Sequence, residues 1–367
     1  MEKRAWKARA LISREAILAL HNVYGTIRYG LTVFSCAITA GLFMLFVAPL
    51  SGQERPDSRI VQGAEKEGKL VWWTTTNIDL SQRILERFEK KYPFVKTELF
   101  RAGRGPLLNK ILAEALAGRY AWDVLSGSGE MYFPLMEKKL VVPYRSAESA
   151  AYDGAMIGKD GKWIAYHTNT YVLGVNTSLV KIEHAPTSYE ALLDAKWKDG
   201  KISLDSDAYP VLIGLSQAWG KDKAVNYLKR LAAQSPVVKR GNDERVQLTA
   251  AGEYPLVFAY ASGIARVAQK GAPIRSLALE PVVVQVNPLQ IAARAPHPNA
   301  ARLFTDFALS KEGQEMVRSG LREPARADVE SPSLVSIKSY KRVVISPESY
   351  RDYKEYVRLY QQIFKTR

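Results

Sequence analysis

Between Lys69 and Glu130 one pattern comes three times in succession: an apolar run, a polar or glycine-rich loop, then a stretch with helical spacing. Lys69-Leu70-Val71-Trp72-Trp73 leads into Thr74-Thr75-Thr76-Asn77, where Asn77 is placed to cap a helix whose Leu80, Ile84, Leu85, Phe88 and Tyr92 share a face. Pro93 stops that helix. Val95–Phe100 is the second run, ending in Arg101-Ala102-Gly103-Arg104-Gly105, with Pro106 suited to be the first helical residue. Leu107, Leu108, Ile111, Leu112, Ala115 and Leu116 then share one face before Gly118. Trp122-Asp123-Val124-Leu125 is the third run and opens into Ser126-Gly127-Ser128-Gly129-Glu130. Such alternation predicts a parallel sheet with helices on both faces. It also places three polar loops along one sheet edge, where open α/β folds bind ligands.

The remaining chain keeps the same character. Tyr171–Asn176 and Val282–Asn287 read as extended runs that could cross between two sheets. Between them, Thr187 or Ser188 can cap a helix that carries Tyr189, Leu192, Leu193 and Trp197 on one face, with Glu190 as the capping-box carboxylate. Asp199-Gly200 turns the chain into the strand Lys201–Leu204, which ends at the polar tip Asp205-Ser206-Asp207-Ala208-Tyr209. Pro255–Tyr260 is a buried strand that opens into Ala261-Ser262-Gly263. A last helix from Pro347 shows Tyr350, Tyr353, Val357, Tyr360 and Phe364 on one side, a stripe suited to packing against the body. At 367 residues the chain can form two domain-sized units.

Six basic residues precede Leu31–Leu50, an uncharged apolar run with helix breakers and small residues just after it. Residues 1–52 therefore read as a secretory signal removed near Gly52-Gln53, followed by a linker over 53–68. An uncleaved anchor, which would make a membrane-bound sensory binding domain, is the alternative. The one cysteine, Cys36, lies in that run, so no disulfide or thiolate metal site is available downstream, in keeping with a periplasmic location. The formal net charge is +15. Its lysines and arginines alternate with acidic neighbours on amphipathic helices and do not interleave with aromatics, so a solvated basic surface is expected, not a nucleic-acid partner.

KLVWWTTTN, RFEKKYPFVKTELFRAGRGPLLNKILAEALAG, WDVLSGS, SYEALLDAKWKDGKISLDS and PHPNAARLFTDFALSKEGQ together resemble the periplasmic substrate-binding proteins of bacterial ABC importers, in the ferric-iron-type branch of extracellular solute-binding protein family 1. The similarity runs from about Lys69 to about Val329. It implies a type 2 periplasmic-binding-protein fold: two α/β lobes, two hinge strands and a ligand cleft between the lobes. Lobe one would take 69–170 plus 284–330 and lobe two 171–283, with 331–367 a C-terminal extension. The expected activity is capture of a small-molecule or metal solute by a monomer and its delivery to an ABC permease in the inner membrane. If the solute is Fe³⁺, the resemblance assigns Tyr260 as a phenolate donor and Glu130 as a possible carboxylate donor. The position beside Tyr260, where ferric binders of this family carry a second tyrosine, is Ala261.

The residues themselves suggest an anionic or zwitterionic solute and no cofactor. Arg101 and Arg104 flank a helix N-terminus, where free N–H groups and the helix dipole favour an anion. Thr74, Thr75, Thr76, Ser126 and Ser128 add neutral donors at the same edge. Asp205 and Tyr209 would face them from the other lobe, together with Tyr260 and Ser262. Ser126-Gly127-Ser128 lacks a Gly-x-Ser-x-Gly elbow, and no dinucleotide, P-loop or zinc-protease motif occurs, so an enzyme is not expected.

Overall fold

The computed structural model describes residues 57–332 and 339–366, which belong to one compact unit. The signal or anchor over residues 1–52 lies outside the described residues. Among the described residues no helix is long and apolar enough to cross a membrane.

The three predicted strands form β1 (Lys69–Thr74), β2 (Lys96–Arg101) and β3 (Val124–Ser126), all parallel, with β1 in the middle. A short strand β4 (Val141–Val142) precedes β5 (Ile164–Asn176). In the second half β6 (Ile202–Asp205), β7 (Val237–Lys239) and β8 (Leu256–Tyr260) are again parallel, with β6 in the middle. β9 (Ile274–Leu277) lies beside β5, and β10 (Val282–Ala292) returns to the first half. Each trio is thus parallel as expected, while β5 and β10 run antiparallel to each other and to the trio strands they meet, which makes the sheet mixed.

β5 joins the halves. Its residues Ile164–Thr170 pair with β10, and Tyr171–Asn176 pair with β8 and β9. Thirteen residues of extended chain reach about 40 Å, enough to serve two sheets. β10 begins beside β12 (Arg342–Ile345), runs along β5, and ends against β3 and β4. The two runs read as crossings are therefore the strands that connect the lobes. β11 (Glu323–Pro324) lies on the far side of β5.

The first helix face is buried as predicted: Leu80, Ile84, Leu85 and Phe88 pack inward from Ile78–Lys91. Trp72, fully buried, meets the edge of Tyr166 and the ring of Phe304, and Phe304 meets Phe88 edge-on. The second helix differs from its expected form. It spans Arg104–Leu116, so Pro106 is its third residue; it buries only Leu107 and Ile111 and leaves Leu116 at 91% exposure.

The segment after Pro186 corrects a second expectation. It forms two short 3₁₀ turns, Glu190–Leu193 and Ala195–Trp197, because Asp194 between them is extended at φ −61°, ψ 140°. Ser188 does accept the Ala191 N–H, at 3.2 Å, but Glu190 pairs with Arg230 instead of reaching back. Asp199 and Gly200, both at positive φ, donate their N–H groups to Gln234 and Ser235, fixing the entry to β6.

The two motifs near residue 300 have structural causes. The Asp123 carboxylate, fully buried, accepts from the Val71 and His297 N–H groups and bonds His297 Nδ1. Glu67 accepts from Asn299 and Ala300 and so caps the helix Pro298–Leu309 from outside it. Ser310 caps the next helix, Lys311–Ser319, at the Gly313 N–H. Gln314, buried, donates to Tyr166 and Ala308 carbonyls and accepts the Ala325 N–H. The last helix begins at Tyr353, not at Pro347, because Pro347–Tyr350 forms a separate 3₁₀ turn; Tyr350, Tyr360 and Phe364 still enter the core of the second half, as the aromatic stripe suggested.

Candidate functional site

The strand ends of the first half make one rim. Thr74 and Ser126, buried, bond each other through their hydroxyls at 2.6 Å; Thr74 Oγ1 also accepts the Thr76 N–H, and Ser126 Oγ accepts Trp72 Nε1. Thr75 donates its N–H to Ser126 O. These residues tie two loops together, and one of the two hydroxyls donates to the other. Thr76 Oγ1 is buried without a partner. The Ser128 hydroxyl lies close enough to Glu130 to favour its charge but makes no well-formed hydrogen bond. Arg101 is exposed, with one long bond from Nε to Thr76 O at 3.4 Å.

Arg104 has a different setting from the open anion site anticipated. Its guanidinium pairs with Glu130 through Nε and with Asp207 through Nη2 at 2.7 Å, and Asp207 belongs to the other half. Burial works against its charge, yet Glu130, Tyr209 and Asp207 hold its pKa above the ordinary arginine value. Glu130 is itself pushed upward by burial, with Arg104 opposing the shift and Tyr209 donating a short hydrogen bond to it. Arg104, Glu130, Asp207 and Tyr209 form one network across the halves, and Tyr209 stands behind it at 2% exposure.

The second half supplies the opposite rim. β6, β7 and β8 are parallel, so Asp205, Lys239 and Tyr260 end at the same edge. Each is followed by a helix: Tyr209–Trp219, Asn242–Ala250 and Ala261–Ala268, none with a side-chain cap at its N-terminus. Asn242 Oδ1 accepts the Tyr260 N–H at 2.8 Å, which draws two of those helix starts together. A Cβ on Gly263 would meet Asn242 Nδ2 at 2.6 Å, so glycine is what lets them approach. Ser262 is buried in that first turn. Arg245, almost fully buried, binds Asp205 Oδ2 at 3.0 Å and the Phe258 carbonyl at 3.1 Å, leaving Nε without a partner. Arg240 is exposed and forms no ion pair among the described residues.

The floor is the hinge strands. Alternation along β5 turns Tyr171 and Asn169 to the same face, and Gln285 pairs with Asn169 on β10. Tyr171 and Tyr260 hydroxyls lie 3.1 Å apart, and Tyr260 Oη reaches Gln285 Oε1 at 3.4 Å. Burial pushes the Tyr260 hydroxyl up to about 12.

Rims and floor enclose a cavity of about 220 Å³ lined by Arg104, Tyr171, Asp205, Asp207, Arg240, Asn242, Arg245, Tyr260 and Gln285, among others. Of the residues singled out in the sequence, Arg104, Asp205 and Tyr260 line it; Arg101, Thr74–Thr76, Ser126, Ser128, Glu130, Tyr209 and Ser262 do not. Sequence reading missed Tyr171, Arg240, Asn242, Arg245 and Gln285. The Arg240-Gly241-Asn242-Asp243 turn was a usable signal, a glycine at φ 108° leading into acidic first-turn residues, but the three-residue β7 before it has no readable pattern. Among the described residues no group of three His, Asp or Glu side chains is arranged to hold a metal ion, and Tyr260 and Glu130 are each engaged with other partners.

The chain is 26% identical over 273 residues to an uncharacterised protein of Haemophilus influenzae, an alignment covering 69% of this chain and 76% of that one. The fructose-6-phosphate-bound periplasmic binding protein AfuA from Actinobacillus pleuropneumoniae superposes with TM-score 0.68 at 27% identity, over 81% of this chain and 99% of that one. Iron-bound HitA from Pseudomonas aeruginosa superposes with TM-score 0.71 at 20% identity, over 80% and 99%, which is a likeness of fold. The family model of bacterial extracellular solute-binding proteins matches residues 83–341, well over half the chain. The two-lobed architecture and this match place the chain in the family of bacterial extracellular solute-binding proteins.

Proposed function

We propose that this solute-binding protein captures a small anionic solute in the cavity between its lobes and passes it to an ABC permease, with a phosphate ester of a polyhydroxylated compound as the leading ligand class. The observation that carries the reading is Arg240, which has no carboxylate partner among the described residues and sits where two uncapped helix N-termini converge on the cavity. A phosphate there would meet a guanidinium and free N–H groups together. Asp205 and Asp207 on the same rim suit hydroxyl groups at the other end of such a molecule. The relative at 27% identity was solved with fructose 6-phosphate bound. Lobe limits at 69–170 plus 284–330 and at 171–283, and capture in the periplasm by a monomer, belong to this proposal.

A thermal-shift comparison on the full chain tests it. Fructose 6-phosphate is expected to raise the melting temperature by mass action, fructose at the same concentration much less, and Arg240→Ala to lose most of the gain. Equal stabilisation by fructose would overturn the anionic reading. Ferric iron is a second reading, favoured by one contact: the Tyr171 hydroxyl stands beside that of Tyr260, so a second phenol is present despite Ala261. A visible phenolate-to-iron charge-transfer band on adding ferric citrate, absent in Tyr260→Phe, would select it.

A further inference from the structure

Arg322 has no place in the network described so far. Antiparallel pairing sets Glu323 opposite Thr168 and Pro324 opposite His167 on β5, which brings Arg322 level with Asn169. Its Nη1 donates to Asn169 Oδ1 at 3.3 Å, so the side chain lies on the same face of β5 as Tyr171, which lines the cavity. Glu323, one residue on, points to the opposite face with Thr168 and Thr170. Arg322 therefore shares the cleft-side face of β5 with Tyr171, at the lobe-one end and outside the residues that line the cavity.

The guanidinium is poorly satisfied there. Nε is buried and has no acceptor, no carboxylate pairs with it among the described residues, and the residue as a whole stays partly exposed. Among the charges that act on it, Arg266 of the other half, itself paired with Asp243 at 2.6 Å, disfavours its charge, and Asp243 offsets part of this. Burial and Arg266 together hold its pKa below the ordinary arginine value. Across β5 from it, on β10, Asn287 Nδ2 is a second buried donor with no partner among the described residues. A desolvated guanidinium without a counter-charge is costly, and an anion arriving beside it removes the cost.

We infer that Arg322 is a ligand-binding residue, the lobe-one anchor for an acidic group of the solute, and that this contact couples the solute's charge to closure of the cleft. The inference rests on the anionic reading of the cavity given above. An oxyanion on the cleft floor would take the free Nε–H of Arg322 and the Asn287 amide from lobe one while facing the Arg266 side of lobe two. It would give the guanidinium the acceptor and counter-charge it lacks. A neutral solute gains none of this.

The test uses the full chain, with wild type, Arg322→Gln and Arg322→Lys, titrated calorimetrically with fructose 6-phosphate, citrate and fructose, alongside melting curves without ligand. Fructose 6-phosphate and citrate distinguish a phosphate ester from a carboxylate as the acidic group. Losing a charge-assisted hydrogen bond should weaken the acidic probe that binds by roughly 10- to 100-fold in Arg322→Gln, with a smaller loss in Arg322→Lys. Without ligand, Arg322→Gln should melt no lower than wild type, because it removes an uncompensated charge. Unchanged affinity in Arg322→Gln, with wild type binding an acidic probe, overturns the assignment of Arg322 alone. A fall in ligand-free melting temperature with equal loss for acidic probes and fructose makes Arg322 a structural residue and also overturns it. If no acidic probe binds wild type, the anionic reading fails and the assignment with it.

Discussion

Glu323 faces away from the cleft, into a small cavity behind the hinge that it shares with Asp153, Arg326 and Arg342. Both arginines are committed elsewhere, Arg326 to Glu148 and Asp328 and Arg342 to Asp153 at 3.8 Å, so among the described residues the Glu323 carboxylate is left with the Ser331 hydroxyl, at 2.5 Å. Burial raises its carboxyl to about 7. The folded state therefore binds a proton more tightly than the unfolded chain does. The stability from this group is full below the ordinary glutamate value of 4.5 and is lost as pH rises through about 7. Over that window the loss amounts to about 3 kcal/mol. Glu323→Gln should abolish that slope and be the more stable protein at pH 8; denaturant midpoints at pH 5 and pH 8 measure it, and parallel slopes in both proteins would count against the assignment. No residue pattern announces such a site. Glu323 looks like any surface glutamate in sequence, and only pairing of a two-residue strand with β5 buries it. The hydroxyls of Thr74 and Ser126 show the reverse case: legible as loop donors, they are bonded to each other and held off the cavity.

At the scale of elements, strong period and strong punctuation carried through. The β1 run folds as a strand buried on both faces, and the Leu80–Phe88 face folds as its spacing says, with one apolar side and one clear stop; the C-terminal stripe keeps its side but divides into a 3₁₀ turn at Pro347–Tyr350 and a helix from Tyr353. The stretch after Pro186 did not, because its apolar spacing fits two 3₁₀ turns as well as one α-helix and an extended Asp194 decides between them. The C-terminal helix has a further consequence. Tyr360 is 3% exposed, packs on Phe364 at 4.7 Å, and donates its hydroxyl to the Asp205 carbonyl at 2.8 Å, under the polar tip of β6. Its ring and its hydroxyl do separable work. Tyr360→Phe should cost about 1 kcal/mol, the worth of one hydrogen bond. Tyr360→Ala should cost about 3–5 kcal/mol by leaving a cavity in the core of the second half. Chemical denaturation of the two variants separates these, and equal costs would show that the ring contributes nothing to that core.

The molecule as a whole is two parallel trios joined by β5 and β10, and that plan was partly readable, because each crossing contains a clear apolar extended run, although the full lengths of 13 and 11 residues that let them serve both sheets were not. The link between the lobes that the sequence hid is ionic. Arg104 leaves the start of its helix in lobe one to hold Glu130 of the same lobe and Asp207 of the other, and no spacing rule brings positions 104 and 207 together. Strands bend at a hinge, whereas a guanidinium held by two carboxylates has to break an ion pair before the lobes can separate. Arg104 keeps 36% of its side chain exposed, so this link is screened by salt and cannot act as a rigid tie. Arg104→Ala should therefore shift the ligand-free protein toward an open form, read as a larger radius of gyration by small-angle X-ray scattering. Wild type should approach the same value as ionic strength rises. Glu130→Gln gives the control: Arg104 keeps Asp207, Tyr209 keeps an oxygen to donate to, and the scattering should stay close to wild type. Identical scattering from Arg104→Ala and wild type at low salt would mean that the hinge strands set the angle unaided. A compact Arg104→Ala that had lost its solute affinity would place Arg104 on the ligand instead of between the lobes.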